Sequence, residues 1–169
     1  MVKANFGEEK WDIILKNSGV EFDFFISNEA YDDDITYKIA GSVAEVMNIP
    51  LNDVLFLFGE WWILKTTREK YVGLLEAGGK NLRDFLINLP NLHNRIMLMY
   101  PKLTPPEFKT SNLEENSIQI HYFSKRLGLQ EFVKGLLSGV SKMYECETKI
   151  ELLTSRNTGD NHETFKVSW

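Results

Sequence analysis

The chain has 169 residues, 43% of them hydrophobic and 25% charged, with a formal net charge of −5. That length suits one globular domain over residues 1–169, and an acidic balance with no clustered Lys/Arg footprint argues against a nucleic-acid partner. No apolar run approaches the ~20 residues of a membrane span, and the segment from Met1 to Trp11 is too polar for a secretory signal. No membrane partner and a cytoplasmic location are therefore expected. The lone Cys146 fits a reducing compartment and leaves any metal to other ligands.

From Gly7 to Tyr100 the apolar residues recur at helical spacing. Trp11, Ile14 and Leu15 mark a first helix. Tyr31-Asp32-Asp33-Asp34 precedes Ile35, Ile39, Val43 and Val46, so an Asp caps a second. Pro50 suits the first turn of a third, which carries Val54, Leu55, Phe58, Trp61 and Trp62. Gly78-Gly79 ends a fourth, and Leu82, Phe85, Leu86 and Leu89 form a fifth that is expected to stop before Pro90. Beyond Pro101, Pro105-Pro106 makes a stiff connection. Ile118, Ile120 and Tyr122 then alternate with Gln119, His121 and Phe123 as in a two-sided strand. One long amphipathic helix follows with Leu129, Val133, Leu136, Leu137 and Val140, and Lys149–Leu153 and Thr164–Trp169 read as two final strands. The expected class is α+β: a helical part, then a four-stranded antiparallel sheet with one long helix between the strand pairs.

Two features carry chemistry. His93 shares a helical face with Ile96, Met97 and Tyr100, which turns the imidazole inward, either as a hydrogen-bonding core group or as a metal ligand. Tyr122, Ser124 and Arg126 fall on one face if the strand continues that far. A phenol, a hydroxyl and a guanidinium there could cradle carboxylates, or could simply finish an amphipathic strand. His121 points to the face opposite Tyr122, and His162 sits in a turn where a structural hydrogen bond is its natural role.

Taken in order, Phe6-Gly7-Glu8-Glu9-Lys10-Trp11, Tyr31-Asp32-Asp33, Phe58-Gly59-Glu60, Leu92-His93, Tyr100-Pro101, Pro105-Pro106-Glu107-Phe108, Tyr122-x-Ser124-x-Arg126, Gly135-Leu136-Leu137-x-Gly139 and Asp160-Asn161-His162 resemble the H-NOX family. That family comprises bacterial gas sensors and the haem domain of soluble guanylate cyclase, and the chain looks like the bacterial stand-alone type. The resemblance implies haem b (iron protoporphyrin IX) buried between the helical part and the sheet, His93 on the iron, and Tyr122, Ser124 and Arg126 on the propionates. It implies that Pro106 presses on the porphyrin, and it makes Phe58, Trp62, Tyr71, Leu92 and Met97 candidate pocket liners. It also implies roughly three turns of helix ahead of Phe6, where this sequence has only Met1 to Asn5.

In relatives that hold O2, the resemblance puts a hydrogen-bonding tyrosine where this chain has Phe132. The expectation is therefore a non-enzymatic sensor that binds NO and CO and rejects O2, with Trp62 as the one nearby N–H that could alter that choice. By analogy, NO releases His93, and the output passes to a separate histidine kinase or cyclic-di-GMP enzyme. Two rivals are a haem-free module with the same fold that binds an apolar ligand or a partner helix, and a peroxidase, for which no distal acid–base pair is present.

Overall fold

Helices α1 (Val2–Phe6) and α2 (Glu8–Ser18) open the chain, and α2 ends on Gly19 in the left-handed conformation. The computed structural model describes residues 1–21, 31–99 and 105–169. Tyr100 and Pro101 lie outside the described residues. Helix α3 (Asp33–Met47) starts as the acidic run predicted: the Asp32 side chain accepts the Asp34 N–H at 2.9 Å, and Asp33 and Asp34 occupy the positive first turn. Asp32→Ala should cost about 1 kcal/mol in chemical denaturation; an unchanged midpoint would show that the cap is redundant.

Helix α4 (Leu51–Trp61) begins just after Pro50 and runs into a π-helical segment, Trp62–Thr67. The Thr67 hydroxyl donates to the Trp62 carbonyl at 3.0 Å across that wide turn. Short helices α5 (Arg68–Lys70) and α6 (Val72–Glu76) lead to α7 (Leu82–Met99).

The expected stop before Pro90 does not occur; α7 carries Pro90 in its interior. Proline there removes one backbone donor and crowds the carbonyl of Leu86, a cost of about 3 kcal/mol. The opposing term is larger. Leu86 and Leu89 before the proline and Leu92 after it are all buried in one core, and each contributes roughly 1.5–3 kcal/mol. Tertiary burial on both sides of Pro90 holds the helix through it.

Four antiparallel strands, β1 (Glu107–Ser111), β2 (Ser117–Phe123), β3 (Lys149–Thr154) and β4 (Glu163–Ser168), lie in the order β1-β2-β4-β3. Helix α8 (Gln130–Met143) connects β2 to β3, giving the strand, strand, helix, strand, strand order read from the sequence. On β2, Ile118, Ile120 and Tyr122 face the core and Gln119, His121 and Phe123 do not. That core joins α7, α8 and the sheet, while Val2, Ile14, Val43 and Val54 form a second, smaller cluster under the N-terminal helices.

Helices α4 and α8 approach backbone to backbone. A Cβ on Gly135 would fall inside the contact distance of the Phe56 carbonyl, and one on Gly59 would strike the Phe132 carbonyl. Glu60 fixes the register of the pair, accepting from Ser138 at 2.9 Å and pairing with Lys142 at 2.7 Å. Among the described residues no helix is long and apolar enough to cross a membrane.

Candidate functional site

The inner stripe of α7 is Phe85, Leu86, Leu89, Leu92, His93 and Ile96, spaced by three and four residues. It borders an interior cavity of about 140 Å³ whose far wall is Val133, Leu136, Leu137 and Val140 of α8. Phe108 of β1 and Trp62, Ile63 and Thr67 of the π-helical segment complete the lining. The whole His93 side chain is half-buried, but its Nδ1 is fully buried and has no hydrogen-bond partner. Such an atom costs about 1–3 kcal/mol. Burial also pushes the His93 pKa down from 6.5 to about 4, so at neutral pH the ring is uncharged and keeps a lone pair available for coordination.

One ring links His93 to the second predicted feature. Phe108 lies 4.5 Å from the His93 ring and 5.3 Å from the Tyr122 ring, centroid to centroid. The antiparallel register that sets Phe108 opposite Tyr122 makes this bridge. Tyr122 is buried and hydrogen-bonded to the Ser124 side chain, and burial holds its phenol above the ordinary pKa, so it stays a proton donor.

The strand does not continue as the spacing assumed: β2 ends at Phe123, and Ser124 and Arg126 lie in the following loop. There the Ser124 hydroxyl accepts the Arg126 N–H at 3.1 Å, and the Arg126 guanidinium binds the Asp33 carboxylate at the start of α3. The three donors are thus neighbours, and the arginine already holds a carboxylate.

The other candidates fall less evenly. Leu92 and Trp62 line the cavity with His93, Trp62 extending from it to the surface. Phe132 packs beside the cavity on Phe58, with ring centroids 5.2 Å apart, and Phe58 in turn meets Trp62 at 6.1 Å; Val133 and Leu136 take the lining positions on that helix. Tyr71, between α5 and α6, and Pro106, just before β1, are not among the described lining residues. Met97 needs correction: it is 41% exposed. It follows Ile96 on the edge of the stripe, and the cavity is narrow enough that Ile96 fills the inward position.

Phe108, Ile63 and Thr67 were missed as lining residues by the sequence reading. Also missed was Arg156, whose guanidinium meets both oxygens of the buried Glu163 at 2.9 Å. A signal for it existed, since Glu163 shares the inward face of β4 with Phe165 and Val167, where a carboxylate needs a cation. On the opposite face of the sheet, His121 Nδ1 meets His162 Nε2 at 2.9 Å and its Nε2 meets the Ser111 hydroxyl at 2.6 Å. Neither histidine lines the His93 cavity.

Fold and site together give an α+β domain whose helical part presents a neutral imidazole to an apolar interior, near a loop whose arginine holds the Asp33 carboxylate. The family model described as Haem-NO-binding matches residues 1–152, and the chain belongs to that family, H-NOX. It is 28% identical over 153 residues to soluble guanylate cyclase gcy-31 of Caenorhabditis elegans, and 31% identical over 145 residues to gcy-32 of the same organism. Those matches cover 90% and 84% of this chain but only 22% and 21% of the cyclases, so the chain spans about a fifth of the length of these relatives. A triple mutant of an H-NOX protein from S. oneidensis in the Fe(II) ligation state superposes with a TM-score of 0.90 at 21% identity, covering 99% of this chain and 89% of that one. A point mutant of T. Tengcongensis H-NOX gives 0.80 at 27% identity, covering 98% and 88%. The family is one of haem-binding gas sensors, and its domain senses rather than catalyses.

Proposed function

We propose that this chain holds haem b through His93, binds NO and CO in preference to O2, and signals by releasing His93. The observation that carries the reading is the buried, uncharged and unpartnered His93 nitrogen in an otherwise apolar cavity. Haem held through His93 would supply a ferrous iron able to bind a diatomic gas. Tyr122, Ser124 and Arg126 supply donors for its carboxylates, and Arg126 would exchange Asp33 for a propionate. The chemistry of the donors fits. The cavity of about 140 Å³ between α7 and α8 is the space that His93 faces among the described residues.

O2 selectivity rests on the hydrogen-bond donors near the gas. Phe58 and Phe132 supply none, and the Thr67 hydroxyl, the polar side chain beside Trp62 in the lining, is already given to the Trp62 carbonyl. The indole of Trp62 remains as the aromatic N–H donor on that side. Release of His93 frees the segment of α7 that packs on β1. A cytoplasmic partner, a histidine kinase or a cyclic-di-GMP enzyme, would read the change through different affinities for the two states.

The test is a ferrous absorption spectrum recorded without gas, then with O2, CO and NO in turn. The expected result is a strong haem band that shifts with CO and NO and stays put in air. A stable oxy spectrum in air sinks the selectivity claim, and Trp62→Phe would show whether the indole is responsible. Absence of any haem band sinks the haem reading and leaves the haem-free binding module.

A further inference from the structure

The loop that carries Ser124 and Arg126 has no strand ladder, because β2 ends at Phe123. Its carbonyls are held from elsewhere. Arg156, in the turn between β3 and β4, donates one terminal nitrogen to the Ser124 carbonyl and the other to the Arg126 carbonyl, the latter at 2.7 Å. Its Nε meets both oxygens of Glu163 at 2.9 Å. Glu163 is 1% exposed and stands opposite Tyr122 in the β2–β4 register.

A planar guanidinium has five N–H donors in a fixed fork, and here the fork spans three acceptor groups at once. Two of them are the main-chain oxygens flanking Lys125, so the path of residues 124–126 follows the plane of the Arg156 group. That plane is in turn set by a carboxylate with almost no solvent to compete for it. The same loop places the Ser124 hydroxyl against Tyr122 and under the Arg126 amide.

We propose that Arg156, oriented by Glu163, is the positioning residue that fixes Ser124 and Arg126 for binding the carboxylates of the cofactor. The assignment rests on the haem reading above. It makes the β3–β4 turn part of the cofactor site although no atom of that turn need touch the cofactor. Lysine cannot substitute, because an ammonium on a flexible stem keeps the charge and loses the fork.

The test uses the full chain with Arg156→Lys, and Glu163→Gln as a second variant should the first fail to melt cooperatively. Two quantities are read: amide hydrogen exchange at residues 124–126 in the haem-free chain, and the rate at which the loaded protein yields haem to an excess of a haem-accepting globin. In Arg156→Lys the Arg126 amide should exchange about tenfold faster while those of Ile120 and Phe165 keep their wild-type rates, and haem loss should accelerate about tenfold. With Arg126→Ala already present, adding Arg156→Lys should accelerate haem loss by less than it does in the wild-type chain, since only the Ser124 contribution is left to lose. Unchanged exchange in the loop overturns the proposal. So does faster exchange with unchanged haem loss, since the contact would then support the fold alone. A wild-type chain that takes up no haem refutes the haem reading separately, and the exchange measurement still decides whether Arg156 holds the loop.

Discussion

His93→Leu is expected to remove the visible haem band while making the haem-free chain more stable. Leucine fills the space of the imidazole and removes a buried nitrogen that has no partner, a gain of about 1 kcal/mol. The gain should grow in acid. The folded-state pKa of His93 lies near 4, below its ordinary 6.5. Between those values the unfolded chain takes up a proton that the folded chain refuses, so wild-type stability falls as pH drops through that window, by up to about 3 kcal/mol. Leucine has no such proton. The difference between the two proteins should therefore widen from pH 7 to pH 4 in parallel denaturation curves. Haem retention should move the other way, weakening at least about tenfold with the proposed iron ligand gone. His121→Ala, outside the cavity, should leave the band intact. An undiminished band in His93→Leu would remove His93 from the site.

Gly135→Ala is expected to destabilise the protein by about 3 kcal/mol, toward the upper end of ordinary overpacking. The obstacle is the Phe56 carbonyl, a backbone atom that cannot rotate away, so α4 and α8 must separate. Separation would pull Glu60 from Ser138 and Lys142 and draw Val133 and Leu137 off the cavity wall. Gly41→Ala, on α3 with open space around it, serves as the control and should be neutral or slightly stabilising. Equal effects from both substitutions would mean that helix propensity, not the close approach, governs α8.

Legibility followed the range of the physics. The Asp32 cap and the alternation of Ile118, Ile120 and Tyr122 are local, and both appear as expected. Pro90 was misread because a local rule met a buried stripe on either side of it. Met97 shows the limit of periodicity: an offset of four residues narrows the face but does not choose between neighbours, and Ile96 takes the inward place. At Ser124 and Arg126 the residue types were informative while the assumed extended backbone was not. Phe108 and Arg156 were out of reach of spacing altogether. One acts through strand register, the other through carbonyls about thirty residues away in sequence. The composition of β4 alone, with Glu163 on the same inward face as Phe165 and Val167, offered a clue to the second.

Pro90 has a mechanical consequence. It deletes a rung of the helix three residues before His93 and leaves nine residues to the end at Met99. At 1.5 Å per residue, the two arms measured from that weak point are about 4.5 and 13.5 Å. A swing about the proline is therefore geared roughly threefold: one ångström at the histidine backbone becomes about three at the helix tip, beside Leu98, which is 83% exposed. If His93 is displaced as proposed, a displacement no larger than a bond length inside the protein would reach its surface as a shift the size of a side chain.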